Sequence, residues 1–385
     1  MNSTSQPNDR GPVDDGLEEQ EATGVRRGLP SRRSLVAGGA GLAAGAAVMA
    51  PSPAAAGTSP AGHHEGFETR IQVAPGVRVN VADLDGGRRG TVVLVPGWPL
   101  NSTMLENTTL FLADRGFRAV ALDLRGFGKS DAPYSPYGYD VWCADIRTVL
   151  KAMSLHDVTL VGHSMGGAVA LRYAARFRSR VAKLVVAEAA APRFVFGSHS
   201  ADLAAGLDGL ISGYAQDRSQ VVRALTRTFF STHTDVTTDP FLQFFERQGL
   251  DQASLQASRA GLIALRDTDL TPDLARISIP TRVFHALHDQ IVPYDHGQAV
   301  AAAIDNARLV TFTTAGHGLY IDEREKFHRA SCLPSPADGG ASCRRRCSRA
   351  SRDQSRQPQV TPDQALCSEG SEPRSTAFTT TLETP

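Results

Sequence analysis

From Phe67 to Ala330 the chain switches between two hydrophobic periods. Thr69–Val73 and Val77–Val81 alternate apolar and polar residues, as the arms of a hairpin do. Thr91–Val95 is a continuous apolar run, the pattern of a strand buried on both faces, and Arg118–Leu122 is another buried strand; Val158–Val161, Val181–Val186, Thr281–Ala286 and Arg308–Phe312 are further strands. Leu105–Arg115, Ala168–Phe177 and Tyr139–Met153 suit helices, the last through Val141, Ile146, Val149 and Leu150. Strands alternating with helices predict an α/β fold with a parallel sheet covered on both faces. From Ala190 to about Leu274 the strand runs disappear and the pattern turns amphipathic and helical, which predicts an insertion over the sheet.

The chemistry clusters just after the predicted strands. Gly162-His163-Ser164-Met165-Gly166-Gly167 follows one strand and opens a helix. Gly162, Gly166 and the residues beside them permit a sharp turn that exposes Ser164, and the helix N-terminus stabilises negative charge next to it. A serine hydroxyl needs a base to become a nucleophile. His317 lies between Gly316 and Gly318 after the last strand and fits that role; His285, His288, His296 and His328 fit it less well. An imidazole used this way needs a carboxylate to fix its tautomer. Asp289, directly after Thr281–Ala286, completes the order Ser, Asp, His, with Glu188 and Asp295 in reserve. Two backbone N–H donors are expected for the oxyanion: Met165, which follows the serine, and Trp98 in Pro96-Gly97-Trp98-Pro99, since Pro99 has none to give.

Composition narrows the classes. Of 385 residues, 41% are hydrophobic and 21% charged, which suits a large core and excludes a mostly disordered chain. The formal net charge is zero, so neither nucleic acid nor an anionic membrane is an expected partner of the whole chain. Four of the five cysteines lie beyond residue 330 with no zinc-ligand spacing, and neither a metal site nor an organic cofactor is expected.

The two ends read differently from the middle. Ser31-Arg32-Arg33-Ser34 precedes an Ala/Gly-rich apolar run and then Pro51-Ser52-Pro53-Ala54-Ala55-Ala56. That order resembles a twin-arginine export signal over residues 1–56, followed by a linker over 57–66. The apolar run is too short for a stable membrane span, so the expected mature protein is secreted or held in the cell envelope, with the export machinery as its partner. Residues 331–385 hold only Leu333, Val360, Leu366, Phe378 and Leu382 of the Leu, Ile, Val and Phe types, and disorder is expected there. The change of composition is abrupt, and a helix-like stretch from Ile321 stops after about two turns. A natural extension and translation from a shifted reading frame are both open readings of the tail.

These motifs resemble the α/β-hydrolase superfamily and, more narrowly, its cofactor-free haloperoxidase/esterase branch. Gly97-Trp98-Pro99-Leu100-Asn101 is similar to that branch's oxyanion loop. Asp123-Leu124-Arg125-Gly126-Phe127-Gly128-Lys129-Ser130 matches the superfamily's D-x-R-G-x-G-x-S loop, Gly162–Gly167 its nucleophile elbow, and His288–Pro293 its acid loop. The resemblance covers about residues 67–330. It implies an α/β-hydrolase fold: a mostly parallel eight-stranded sheet, flanked by helices, with a helical cap over about 190–274. It also implies esterase chemistry on a small-molecule ester and perhydrolysis as a side reaction. Two features depart from the pattern: Pro96 stands where many relatives have His, and the last helix is cut short near Ala330. Seven phenylalanines in the cap region (194, 196, 229, 230, 241, 244 and 245) predict an apolar substrate group, with about half of them serving as core. The rival readings are a hydrolase-like binding protein without catalysis and a poorly folding product of a gene with a damaged 3' end.

Overall fold

The computed structural model describes residues 67–331, residue 235 excepted. The export signal, the linker and the tail expected for residues 1–66 and 332–385 lie outside the described residues.

The strands form where the apolar runs fall. β1 (Glu68–Ala74) and β2 (Val77–Asp85) are joined through Gly76, whose φ of 69° suits a tight turn and would strain any other residue. β3 (Thr91–Val95), β4 (Arg118–Leu122), β5 (Val158–His163), β6 (Val181–Ala187), β7 (Thr281–Ala286) and β8 (Ala307–Phe312) complete an eight-stranded sheet in the order β1-β2-β4-β3-β5-β6-β7-β8. β2 pairs antiparallel with β1 and β4, and the remaining neighbours run parallel. Val93, Leu94, Val95, Leu160, Val185 and Val186 are fully buried, as central parallel strands require.

The helices between strands are α1 (Glu106–Ala113), α2 (Tyr139–Ala152), α3 (Met165–Arg176) and α9 (Tyr294–Ala303). α1 is shorter than the spacing predicts: it starts one residue later, because Ser102–Leu105 forms a separate 3-10 turn whose Asn101 cap accepts from the Thr103 N–H at 3.0 Å, and it ends two residues earlier, where the Arg115 and Gly116 N–H groups tighten onto the Leu112 and Ala113 carbonyls at 3.1 and 2.9 Å. α3 begins three residues earlier than its apolar pattern, at Met165. Gly166 and Gly167 are poor helix formers, but they let the helix pack against the ends of β3 and β5.

Four helices over the sheet separate β6 from β7: α4 (Ser200–Gln216), α5 (Arg218–Phe229), α6 (Asp239–Asp251) and α7 (Leu255–Asp267). The short α8 (Thr271–Leu274) leads from them into β7. Asp217, Thr238 and Ser254 cap the second to fourth of these helices by accepting first-turn N–H bonds. The layer is stitched to the loop after β4: the Gly128 N–H donates to the Gln252 carbonyl at 2.6 Å, and the Ser254 N–H to the Gly126 carbonyl at 2.9 Å. Phe194, Phe229, Phe230 and Phe245 are buried, while Phe241 and Phe244 pack from the partly buried fringe.

After β8 come α10 (Leu319–Asp322) and α11 (Arg324–Ser331). α11 has only about two turns, yet it buries Phe327 against Phe284 and Tyr320 and sets His328 3.1 Å from the Thr108 hydroxyl. Among the described residues no helix is long and apolar enough to cross a membrane.

One buried ion pair holds the loop after β4 to α2. The Arg125 guanidinium grips Asp145 with two bonds of 2.6 and 2.5 Å, and both side chains are 4% exposed. Removing one partner strands the other charge in the core. Asp145→Ala is therefore expected to cost about 3–5 kcal/mol, read as a drop in the urea midpoint. Arg125→Met with Asp145→Leu is expected to recover most of that loss; a double variant no better than the single one would show that packing, rather than the stranded charge, was lost.

Candidate active site

Ser164 is the single residue between β5 and α3. Its φ of 53° and ψ of −120° lie outside the ordinary regions for a residue with a side chain. The surroundings dictate this turn. A Cβ on Gly162 would stand 2.3 Å from the Gly166 carbonyl oxygen, and one on Gly166 would stand 2.3 Å from that of Pro96. The Ser164 N–H is tied to the Ala187 carbonyl at 2.8 Å, and its own carbonyl accepts from the Ala168 N–H at 3.0 Å. Met165 opens α3, so its N–H is among the donors that a helix N-terminus leaves without an intrahelical acceptor.

His317 lies in the loop after β8, 1% exposed. Its Nδ1 is 2.7 Å from Asp289 Oδ2. Asp289 Oδ1 accepts the N–H groups of Ile291 and Val292 at 2.8 and 2.9 Å. Burial pushes the Asp289 carboxyl up, but the charge and hydrogen bond of His317 outweigh it and hold the group well below the usual carboxylate range. The carbonyl of His317 takes a hydrogen bond from His163 Nε2 at 2.9 Å, and since a carbonyl only accepts, that nitrogen carries the proton. Burial, with the His317 charge next, pushes His163 down to about 3, so it stays neutral. Among the described residues the bonds run His163–His317–Asp289, and Ser164 is joined to His317 through its neighbour His163 rather than directly.

The turn after β3 closes over Ser164. The Leu100 N–H bonds to the Gly97 carbonyl at 2.9 Å, so Trp98 and Pro99 form the middle of the turn. A Cβ on Gly97 would lie 2.8 Å from His163 Nδ1 and 2.9 Å from Ser164 Cβ. The Trp98 indole N–H donates to the Ser258 carbonyl on α7 at 2.9 Å. Gly261, on the same helix, stands where a Cβ would meet Trp98 Cδ1 at 2.8 Å and Met165 Sδ at 3.3 Å. The rings of Phe229 and His317 meet in a T, with centroids 4.9 Å apart and planes at 89°.

A family model described as "alpha/beta hydrolase fold" matches residues 90–324. The chain belongs to the α/β-hydrolase family. It is 35% identical over 265 residues to the AB hydrolase superfamily protein YisY of Bacillus subtilis, covering 67% of this chain and 95% of that one. It is 34% identical to a non-heme haloperoxidase of Rhodococcus erythropolis, over 65% of this chain and 92% of that one. Among solved structures, an esterase from Exiguobacterium antarcticum superposes with a TM-score of 0.63 at 35% identity, over 68% of this chain and 97% of that one. These likenesses put the chain in the haloperoxidase/esterase-like branch of the α/β hydrolases.

The other acids and histidines fall elsewhere in this hydrolase. Asp295 pairs with His296 Nδ1 at 3.0 Å, away from His317. Glu188 lies beside Asp289, with one oxygen accepting the Ala286 N–H at 3.0 Å. His285 is inside β7, His288 stacks on His233, and His328 is on α11. Asp322 is not apparent from motifs: its Oδ2 accepts the N–H groups of Gly316 and Ser231, at 2.8 and 2.9 Å, and so braces the His317 loop. The only sequence sign of it is an acid on an otherwise apolar helix just past the histidine. Among the described residues one group has metal-ligand spacing, Glu188, His285 and Asp289 within 4.8 Å. Asp289 is already spent on His317 and two N–H groups, and His285 Nε2 on the Val292 carbonyl at 2.9 Å, so the group does not fit a metal centre.

An imidazole fixed by a buried carboxylate can take and return a proton, and a helix N-terminus beside a strained serine can hold an oxyanion. The Gly97 turn leaves no room for a methyl group between it and Ser164. Gly97→Ala is therefore expected to lower hydrolase turnover by about 10²-fold, while the thermal midpoint and circular dichroism stay near those of the parent. Unchanged turnover would mean that the turn has slack at this point.

Proposed function

We propose that the protein is a serine hydrolase of carboxylic esters that works through an acyl-enzyme. Ser164 Oγ attacks the ester carbonyl while His317 takes its proton, and Asp289 holds the imidazole and supports its charge. The N–H groups of Met165 and Trp98 hold the oxyanion of the tetrahedral intermediate. Collapse expels the alcohol, which leaves with the proton from His317. Water then attacks the acyl-serine, giving up a proton to His317, and the acid departs as that proton returns to Ser164. Hydrogen peroxide in place of water would yield a peracid, the perhydrolysis that the haloperoxidase-like branch implies.

The observation that carries this reading is the meeting of the strained Ser164 turn with the Asp289–His317 bond at one end of the sheet. The ring of Phe229 against His317, backed by Phe230 and Phe245, favours an ester with a small or medium apolar group. Export to the cell envelope or beyond remains part of the proposal on the arginine pair and apolar run of residues 31–56 alone.

The test is turnover of short-chain p-nitrophenyl esters by the full chain beside Ser164→Ala. The variant is expected to lose about 10⁴- to 10⁶-fold in kcat while melting cooperatively at the parent's temperature. A variant that keeps its turnover would remove Ser164 from the reaction. A parent that melts cooperatively but turns over no ester would favour the binding-protein reading.

A further inference from the structure

Beside Asp289, at the end of the neighbouring strand β6, a second acid is sealed in the core. Glu188 is the first residue after β6, fully buried, and its φ of 49° is in the left-handed region. A buried ionisable side chain on a strained backbone costs stability twice, through desolvation and through conformation. The parallel pairing of β6 with β7 sets its place: the Glu188 N–H donates to the Phe284 carbonyl at 3.0 Å, and Oε1 accepts the Ala286 N–H at 3.0 Å. Oε2 lies 3.0 Å from His285 Nε2 and makes no conventional hydrogen bond there. Polar atoms of Glu188, His285 and Asp289 all fall within 4.8 Å of one another.

The protons in this cluster can be assigned by elimination. His285 Nε2 faces the Val292 carbonyl at 2.9 Å, so it holds the ring proton. Burial keeps that ring neutral by pushing its pKa down. The charged and titratable groups acting on the cluster are Asp289 and, beyond it, His317 from the loops after β7 and β8, Asp322 from α10, and His296 from α9 against His285. Two carboxylates this close in a dry site do not both ionise. Asp289 has His317 and two backbone N–H groups to hold its charge, and Glu188 has one N–H. Burial first, then the Asp289 charge, push Glu188 well above the usual carboxyl range.

We propose that Glu188 is a positioning residue for the catalytic acid: a neutral carboxylic acid that donates its Oε2 proton to Asp289 and locks that carboxylate against His317. This rests on the serine-hydrolase reading above. Asp289 then receives four donors, two N–H groups on Oδ1 with the His317 N–H and the Glu188 O–H completing the set. With every direction occupied, the carboxylate does not swing when His317 becomes charged. Glu188 touches neither substrate nor the reacting atoms and acts through Asp289.

Three full-chain variants test this: Glu188→Gln, Glu188→Leu and Ser164→Ala. Leu removes the donor, and Gln restores one from its amide without adding charge. Glu188→Leu is expected to lose about tenfold or more in kcat with KM unchanged, and Glu188→Gln to regain most of that loss. The acid limb of kcat/KM against pH is expected to coincide in the parent and Glu188→Gln, since neither carries a charge there. An ionised Glu188 would instead help hold the proton on His317, and its replacement by Gln would move that limb to lower pH; this result overturns the proposal. So does a Glu188→Leu enzyme with parental kcat. The infrared difference between parent and Glu188→Gln is expected to show the carbonyl stretch of a buried protonated acid, and its absence would also overturn the proposal. That band needs no turnover, so it reads Glu188 even where Ser164→Ala shows the serine reading to be wrong. Glu188→Gln keeps the shape of the parent, so the infrared and pH results decide the matter if Glu188→Leu is too unstable to assay.

Discussion

The parallel register of five strands is the constraint on which the rest depends. Val95 of β3 pairs with Gly162 of β5, Gly162 with Val186 of β6, Ala187 with Phe284 of β7, and Ala286 with Phe312 of β8. The strands thus end along one edge, and the residues that follow them (Trp98, Ser164, Glu188, Asp289 and His317) gather there although they are scattered across more than two hundred positions of sequence. A slip of one residue in any of these pairings would turn a side chain to the other face.

The edge is closed from above by helices that are themselves pinned. α7 touches Trp98 and Met165 through Ser258 and Gly261, so the layer over the sheet contributes to the shape of the turn that faces Ser164. Hydrogen bonds from Gly128 and Ser254 tie the same layer to the loop after β4, which the Arg125–Asp145 pair anchors to α2. Packing in this region is tight enough that a missing Cβ at positions 97, 162, 166 and 261 is a requirement of fit, and glycine stands at each.

The sheet and the places of Ser164, Asp289 and His317 were legible because each depends on local information: an apolar run, then a short loop with a chemically distinctive residue. Trp98 was legible as a backbone position, but the indole bond to Ser258 was not, since it spans 160 residues and follows no period. Asp322 and the cluster of Glu188 with His285 were hidden for a related reason. Their partners come from neighbouring strands and loops, and only the strand order brings them together. Glu188 was visible as an acid at a strand end, a candidate alternative to Asp289; the pairing of β6 with β7 instead puts it beside that residue. The apolar pattern of α3 begins only at Ala168 because two glycines weaken helical propensity, so its start at Met165 was legible from the elbow motif alone, and the close approach that favours the glycines there is tertiary.

The Asp322 brace has a mechanical meaning. One carboxylate oxygen holds the Gly316 N–H, next to His317, and the Ser231 N–H, in the loop between α5 and α6, while the other accepts the Thr234 hydroxyl at 3.2 Å. The floor that carries the histidine and the roof above it are therefore bolted together here, and a second fastening lies alongside, where the Gly318 N–H donates to the Phe229 carbonyl at 2.8 Å. A roof that lifted at this corner would have to break both fastenings and would leave the histidine loop slack, so this corner is a fixed post. Any breathing that admits a guest belongs to the parts of the roof that Asp322 does not hold.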